Sequence, residues 1–212
     1  EHFDQIISDN RFGLYQTLHC VYITHQLHIM LPRPYKWLEP LASRLHACIY
    51  NRYSEVWVPD TPDHRLSGEL SQLSIHHSAK RFNTSIKYIG PLSRFTDTLP
   101  LYSSTPLLPY KIVALFSGLE PHRTLFEQEI LERFKGHEHE VLMVNGKLDK
   151  QLSDSELAYY LTHAETIICR SGYSTIMDLD ALGVLDKAEL IPTPGQPEQE
   201  YLAEKFAYIK KK

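Results

Sequence analysis

Short runs rich in β-branched and aromatic residues alternate along this chain with longer stretches whose apolar residues recur every three or four positions. The first pattern fits buried or half-buried strands, the second helices with one apolar face. In the first half the strand-like runs fall at residues 5–8, 20–23, 56–58 and 86–89. Between the second and third, residues 35–50 carry Leu38, Leu41, Leu45, Cys48 and Ile49 at helical spacing, which predicts a helix packed on the sheet by that stripe. The second half predicts strands at residues 111–116, 141–144, 166–169 and 188–191, with helices at 124–134, 154–163 and 174–182. Parallel strands joined by helical crossovers satisfy this order most economically, so the expected class is α/β with two Rossmann-like halves.

Residues 96–110 (TDTLPLYSSTPLLPY) interrupt the rhythm with three prolines, clustered Ser and Thr, and no periodicity. That composition reads as an interdomain connection and divides the chain into residues 1–104 and 105–212. The first half opens inside a strand, offers four strands and contains no GxGxxG. A doubly wound domain usually has about six strands, so the first half reads as truncated.

Composition narrows the function classes. Hydrophobic residues make up 42% and charged ones 23%, ordinary proportions for a globular protein. No apolar run approaches the roughly 20 residues that span a bilayer, and no leader pattern is legible. The net charge of −4 offers nucleic acid no general attraction. Cys20, Cys48 and Cys169 lack CxxC spacing, which argues against a disulfide framework or a zinc site and fits a cytoplasmic protein. Of the twelve histidines, His19, His25 and His28 form no HExxH pattern, while the pairs His76/His77 and His137/His139 sit in polar surroundings. No metal is expected.

Three segments carry candidate chemistry, each beside a plainer reading. In LFSGLEPHRT a buried strand runs through Ser117 and Gly118 into a helix, a geometry whose free N–H groups suit a diphosphate. A tight turn closed by a Thr124/Glu127 capping box explains the same residues. In ICRSGYSTIMD a strand passes Arg170, Ser171 and Gly172 into a helix that begins Tyr173, Ser174, Thr175 and carries Asp178, whose carboxylate could accept two hydrogen bonds from a ribose diol. A Thr175/Asp178 capping box is the plainer alternative. In IPTPGQPEQEYLA a turn at Pro194 and Gly195 leads to a helix start bearing Gln196, Gln199 and Glu200. These side chains could bind sugar hydroxyls or simply complement the helix dipole.

ICRSGYSTIMDLDALG followed by AELIPTPGQPEQEYLA resembles the C-terminal domain of glycosyltransferase family 28. In that family a strand ending in Ser-Gly opens a helix with an acidic residue, and a proline turn with paired glutamines follows. The likeness extends back through residues 152–164, a helix opened by Ser153 with Glu156 in a capping box, and through Ser117-Gly118. It implies a two-domain GT-B fold. Ser171, Gly172 and Thr175 would lie against the donor diphosphate, Asp178 would take the ribose, and Gln199 and Glu200 would hold the sugar. The chain departs from the family at Asp178, where glutamate is usual, and at Glu200, where a second glutamine is usual.

The first half resembles the family's acceptor domain more loosely. Thr24-His25-Gln26 follows the second strand like a short polar motif of that domain, Gly90-Pro91 is similar to its exit from the last strand, and Asp9-Asn10-Arg11 shares the same strand edge. An imidazole titrates near neutrality, so His25 is a candidate general base, although a histidine there also serves as an orienting group. The family's glycine-rich first loop is not present in this sequence. Residues 29–37 mix apolar side chains with Arg33 and Lys36 and could skim a membrane at its inner face, or simply enter a packed helix.

The resemblance implies inverting transfer from a UDP-sugar, N-acetylglucosamine or a related hexose, to a glycan, lipid-linked or small-molecule acceptor, with no metal or other cofactor. A nucleotide-sugar epimerase or hydrolase, and a non-catalytic donor-binding or docking subunit, are the competing readings.

Overall fold

Among the described residues every strand is short, and each lies parallel to its neighbours. The computed structural model describes residues 3–15, 18–73, 84–96, 110–146 and 152–210. The chain divides into two compact units, Glu1–Pro91 and Leu92–Lys212. Unit 1 holds β1 (Gln5–Asp9), β2 (His19–Ile23), α1 (Glu39–Tyr50), β3 (Glu55–Val58) and β4 (Ser85–Tyr88). Its sheet is fully parallel, in the order β1-β2-β3-β4. Unit 2 holds β5 (Ile112–Leu115), α2 (His122–Arg133), β6 (Val141–Val144), α3 (Asp154–His163), β7 (Thr166–Arg170), α4 (Tyr173–Ala181), β8 (Ala188–Ile191) and α5 (Pro197–Lys210). Its sheet is also parallel, in the order β6-β5-β7-β8. The class is therefore α/β with two parallel sheets, as the alternation of patterns predicts.

Burial explains the strands of unit 2. Val113 and Leu115 of β5 pack with Leu157, Leu161 and Leu179 of α3 and α4. Ala114 points the other way, joining Phe116 and Phe126 and Ile130 of α2. The period of two thus puts apolar side chains on both faces, which is why β5 and β7 read as continuous hydrophobic runs rather than alternating ones. Phe95 is also part of this core. Just before it, Leu92 N–H reaches Met177 Sδ at 3.3 Å. Those contacts put the start of unit 2 ahead of the proline-rich segment. The division at 104/105 read from composition lies outside the described residues.

In unit 1, α1 turns the expected stripe the other way. Leu41 and Leu45 are 54% and 59% exposed and Cys48 is exposed, while Ser43, His46, Ala47 and Tyr50 face inward. The inward choice is polar because its partners are polar. Ser43 Oγ accepts Ile29 N–H at 2.9 Å, and Glu39 Oε1 accepts Leu31 N–H at 3.0 Å. His46 and Tyr50 join an aromatic cluster with Tyr22 and Phe12. The helical reading of residues 35–50 is also split, because a 3-10 turn at Arg33–Leu38 precedes α1, which has proline in its first turn.

The capping boxes divide likewise. Ser153 and Glu156 form both halves of the box at the start of α3. The Thr124/Glu127 and Thr175/Asp178 boxes do not form, because α2 is capped at Pro121 and α4 at Gly172, which leaves both threonines inside the first turn. Among the described residues no helix is long and apolar enough to cross a membrane.

Candidate functional site

The strand order of unit 2 contains a reversal. From β5 the chain crosses through α2 to β6 on one side, then through α3 to β7 on the other side of β5. The loops leaving β5 and β7 therefore diverge at the carboxyl edge between two adjacent strands, the place where open α/β sheets bind ligands. Those loops are Ser117-Gly118 and Ser171-Gly172. Gly118 adopts φ +97 and Gly172 opens α4.

The two helix ends beside this point differ. At α2, Glu120 fills the terminus: Oε2 accepts Thr124 N–H at 3.2 Å and Thr124 Oγ1 at 2.7 Å, and Oε1 accepts Arg123 Nη2 at 2.8 Å. The Thr124 hydroxyl and the Arg123 guanidinium hold the Glu120 carboxyl below its usual range. At α4, no side chain among the described residues caps the helix. Ile176 N–H is the first to reach back, to Gly172 C=O at 3.1 Å, while Ser174 and Thr175 N–H meet no acceptor among the described residues. A Cβ built on Gly172 meets nothing within 4 Å. Two free amides, the positive end of a helix and open space together suit an anion.

The two motif blocks singled out in the sequence meet here. Ser171 N–H donates to Ile191 C=O at 3.3 Å, Ser171 Oγ to Gln199 C=O at 2.8 Å, and Arg170 Nη1 to Pro192 C=O at 2.8 Å. Pro194 and Gly195 occupy the middle of a turn closed by Gln196 N–H to Thr193 C=O at 3.1 Å, and Gly195 takes φ +79, the pairing a type II turn requires. Gln199 Oε1 accepts Thr193 N–H at 2.9 Å and its Nε2 donates to Gln196 Oε1 at 2.6 Å, so both ends of that amide brace the turn. Glu200 is exposed on the first turn of α5.

Ser171 is wholly buried and Arg170 is 6% exposed. The Arg170 guanidinium lies 4.1 Å from the centroid of Phe126, and its Nε has no partner among the described residues. Burial draws its pKa below the usual arginine value, against the pull of Glu129. These two residues hold the strand end to the β8–α5 turn. Outward at the same edge, a recess is lined by Ser117, Thr175 and Asp178 together with Arg94, Phe95 and Asn145. Asp178 Oδ1 accepts Ser93 Oγ at 2.7 Å and Oδ2 accepts Arg94 Nε at 3.1 Å. Ser93, Arg94 and Asn145 were not singled out from sequence. A cation four residues beyond Gly90 and an asparagine in the left-handed region (φ 64) at a strand end were the available signals.

Unit 1 has its own carboxyl edge. Asn10 takes φ 49 after β1, and its Oδ1 accepts Tyr22 OH at 2.8 Å and Thr24 Oγ1 at 3.4 Å. Thr24 Oγ1 in turn accepts Gln26 N–H at 3.2 Å, and Arg11 C=O accepts Ser8 Oγ at 2.6 Å and Tyr53 OH at 3.1 Å. Asp9 ends β1 exposed, while His25 and Gln26 stand half-buried beyond β2. The structure thus brings Asn10, Thr24 and Gln26 into one hydrogen-bonded chain. Asp60, after β3, was missed from sequence and is wholly buried. Burial alone would raise its pKa, but Ser67 Oγ and the N–H groups of Ser67, Thr61 and Leu66 outweigh that and hold it low. Among the described residues no group of three His, Cys, Asp or Glu side chains is placed to hold a metal ion.

No family model matches this chain, and no curated protein matches it.

Proposed function

We propose that the protein is a glycosyltransferase of the two-domain GT-B kind that transfers a sugar, N-acetylglucosamine or a related hexose, from a UDP-sugar held by unit 2. One observation carries this reading: at the topological switch point the Arg170–Gly172 and Thr193–Glu200 blocks are hydrogen-bonded to each other beside an unfilled helix N-terminus. In this reading the α4 amides of Ser174 and Thr175 receive the donor diphosphate and Asp178 receives the ribose. The Gln196–Glu200 turn borders the sugar. An acceptor hydroxyl attacks the anomeric carbon with inversion as the bond to the diphosphate breaks. The electron pair leaves with UDP, whose growing charge the helix end stabilises. The hydroxyl proton passes to a base on unit 1, for which His25 is the candidate.

Unit 1 also supports contact with a membrane surface that carries the acceptor. Trp37 is 75% exposed, in line with exposed Leu41 and Leu45, and Arg33, Lys36 and Arg44 are exposed beside them. UDP release from UDP-N-acetylglucosamine tests the whole reading when measured with water alone, with soluble glycan acceptors and with lipid-linked acceptors in anionic vesicles. Release that requires an acceptor is expected. Release with water alone indicates a hydrolase, and donor binding without release in any arm indicates a non-catalytic donor-binding subunit.

A further inference from the structure

We infer that Ser93 and Arg94 are positioning residues of the nucleotide site, fixing the Asp178 carboxylate in the orientation that accepts a ribose diol; this rests on the donor reading above. Ser93 is itself immobilised. Its Oγ accepts Phe95 N–H at 3.0 Å, its carbonyl accepts Thr96 Oγ1 at 3.0 Å, and Phe95 is anchored in the core of unit 2. A hydroxyl has a single proton, so with its acceptor side engaged by Phe95 that proton is committed to Asp178 Oδ1 at 2.7 Å. The opposite oxygen, Oδ2, takes Arg94 Nε at 3.1 Å. Arg94 is held in turn by its guanidinium 5.0 Å from the Phe95 ring centroid and by Asp154 at 3.5 Å on the first turn of α3.

Each carboxylate oxygen is therefore pinned by a different donor, and the side chain cannot swing about its last bond. An ionised carboxylate offers about four lone-pair positions. Two are taken by the chain, and Asp178 lines the recess beside Thr175, so about two remain for the diol of a ribose entering that recess. The Asp178 side chain is only 17% exposed, which leaves a bound diol little room to reorient it. Aspartate at this position is one methylene shorter than glutamate and reaches less far, and a rigidly aimed short carboxylate offsets that loss, because ordering it beforehand removes an entropy cost from binding.

Calorimetry on the full chain with UDP and with 2′,3′-dideoxy-UDP tests this. Ser93→Ala should weaken UDP about tenfold, in keeping with the loss of one charge-assisted hydrogen bond, and leave the dideoxy nucleotide unchanged because it presents no diol to Asp178. Ser93→Thr, which keeps the hydroxyl, should retain the affinity for UDP. Unchanged UDP affinity in Ser93→Ala, or equal losses for both nucleotides, overturns the positioning role and leaves the donor site standing. Failure of the unaltered protein to bind either nucleotide overturns the donor reading itself.

Discussion

His46 uses its two ring nitrogens differently. Tyr22 OH donates to the acceptor-only Oδ1 of Asn10 at 2.8 Å, so at the 3.4 Å contact between His46 Nε2 and Tyr22 OH the imidazole is the donor. His46 Nδ1 is buried with no partner among the described residues. Burial among aromatic rings pushes the His46 pKa down to about 4. The unfolded chain takes up this proton near pH 6.5, whereas the folded one resists until about 4. The stability associated with neutral His46 is therefore complete above pH 6.5 and is lost progressively as pH falls toward 4. The difference in urea midpoint between the unaltered protein and His46→Gln should narrow across that window. An unchanged difference would show that His46 already carries a proton when folded.

At the scale of elements, α2 and α4 show how far the sequence could be read. Both were legible as strand–glycine–helix units, because their apolar periodicity is independent of what surrounds the helix end. Their caps were not. Ser-x-x-Glu at Ser153 forms its box, whereas Thr124 and Thr175 match the same pattern three residues too far into their helices. Cap identity depends on where the backbone leaves the helical region, which a spacing rule does not specify. The facing of α1 departs from its apolar stripe for a related reason: the tertiary partners of Ser43, His46 and Glu39 outweigh the stripe through Leu41 and Leu45.

The open end of α4 yields a substitution in which stability and binding part company. Gly172 sits at φ −70 and ψ 140 with nothing within 4 Å of a Cβ, so a larger residue fits without strain. Gly172→Asp supplies both a cap and a negative charge at the positive helix end. It should raise the stability of unit 2 by a few tenths of a kcal/mol to about 1 kcal/mol in thermal denaturation. The same carboxylate occupies the seat assigned to the diphosphate, so UDP affinity should fall at least about tenfold. A variant that is more stable yet binds UDP as before would remove the α4 terminus from the site.

At the scale of the whole molecule, the chain consists of two parallel α/β units whose candidate residues fall in different places: those of the proposed donor side in unit 2, those of the proposed acceptor side in unit 1. The alternation of strand and helix patterns was sufficient to predict both sheets. It could not give the strand order β6-β5-β7-β8, which depends on side-by-side pairing between distant segments, and that order is what makes the Ser117 and Ser171 loops neighbours. Nor did composition reveal that the residues just ahead of the proline-rich segment, Ser93 to Phe95, belong to unit 2, since their role is visible only through Asp178 and the core.

The central claim is that unit 2 binds a nucleotide-sugar at its switch point. Isothermal titration of UDP-N-acetylglucosamine into the full chain tests it most directly. A saturable exchange of heat is predicted, competed by UDP and weakened by Asp178→Ala in a variant that stays folded by circular dichroism. An absence of binding by UDP-N-acetylglucosamine, other UDP-hexoses and UDP alike would contradict the account.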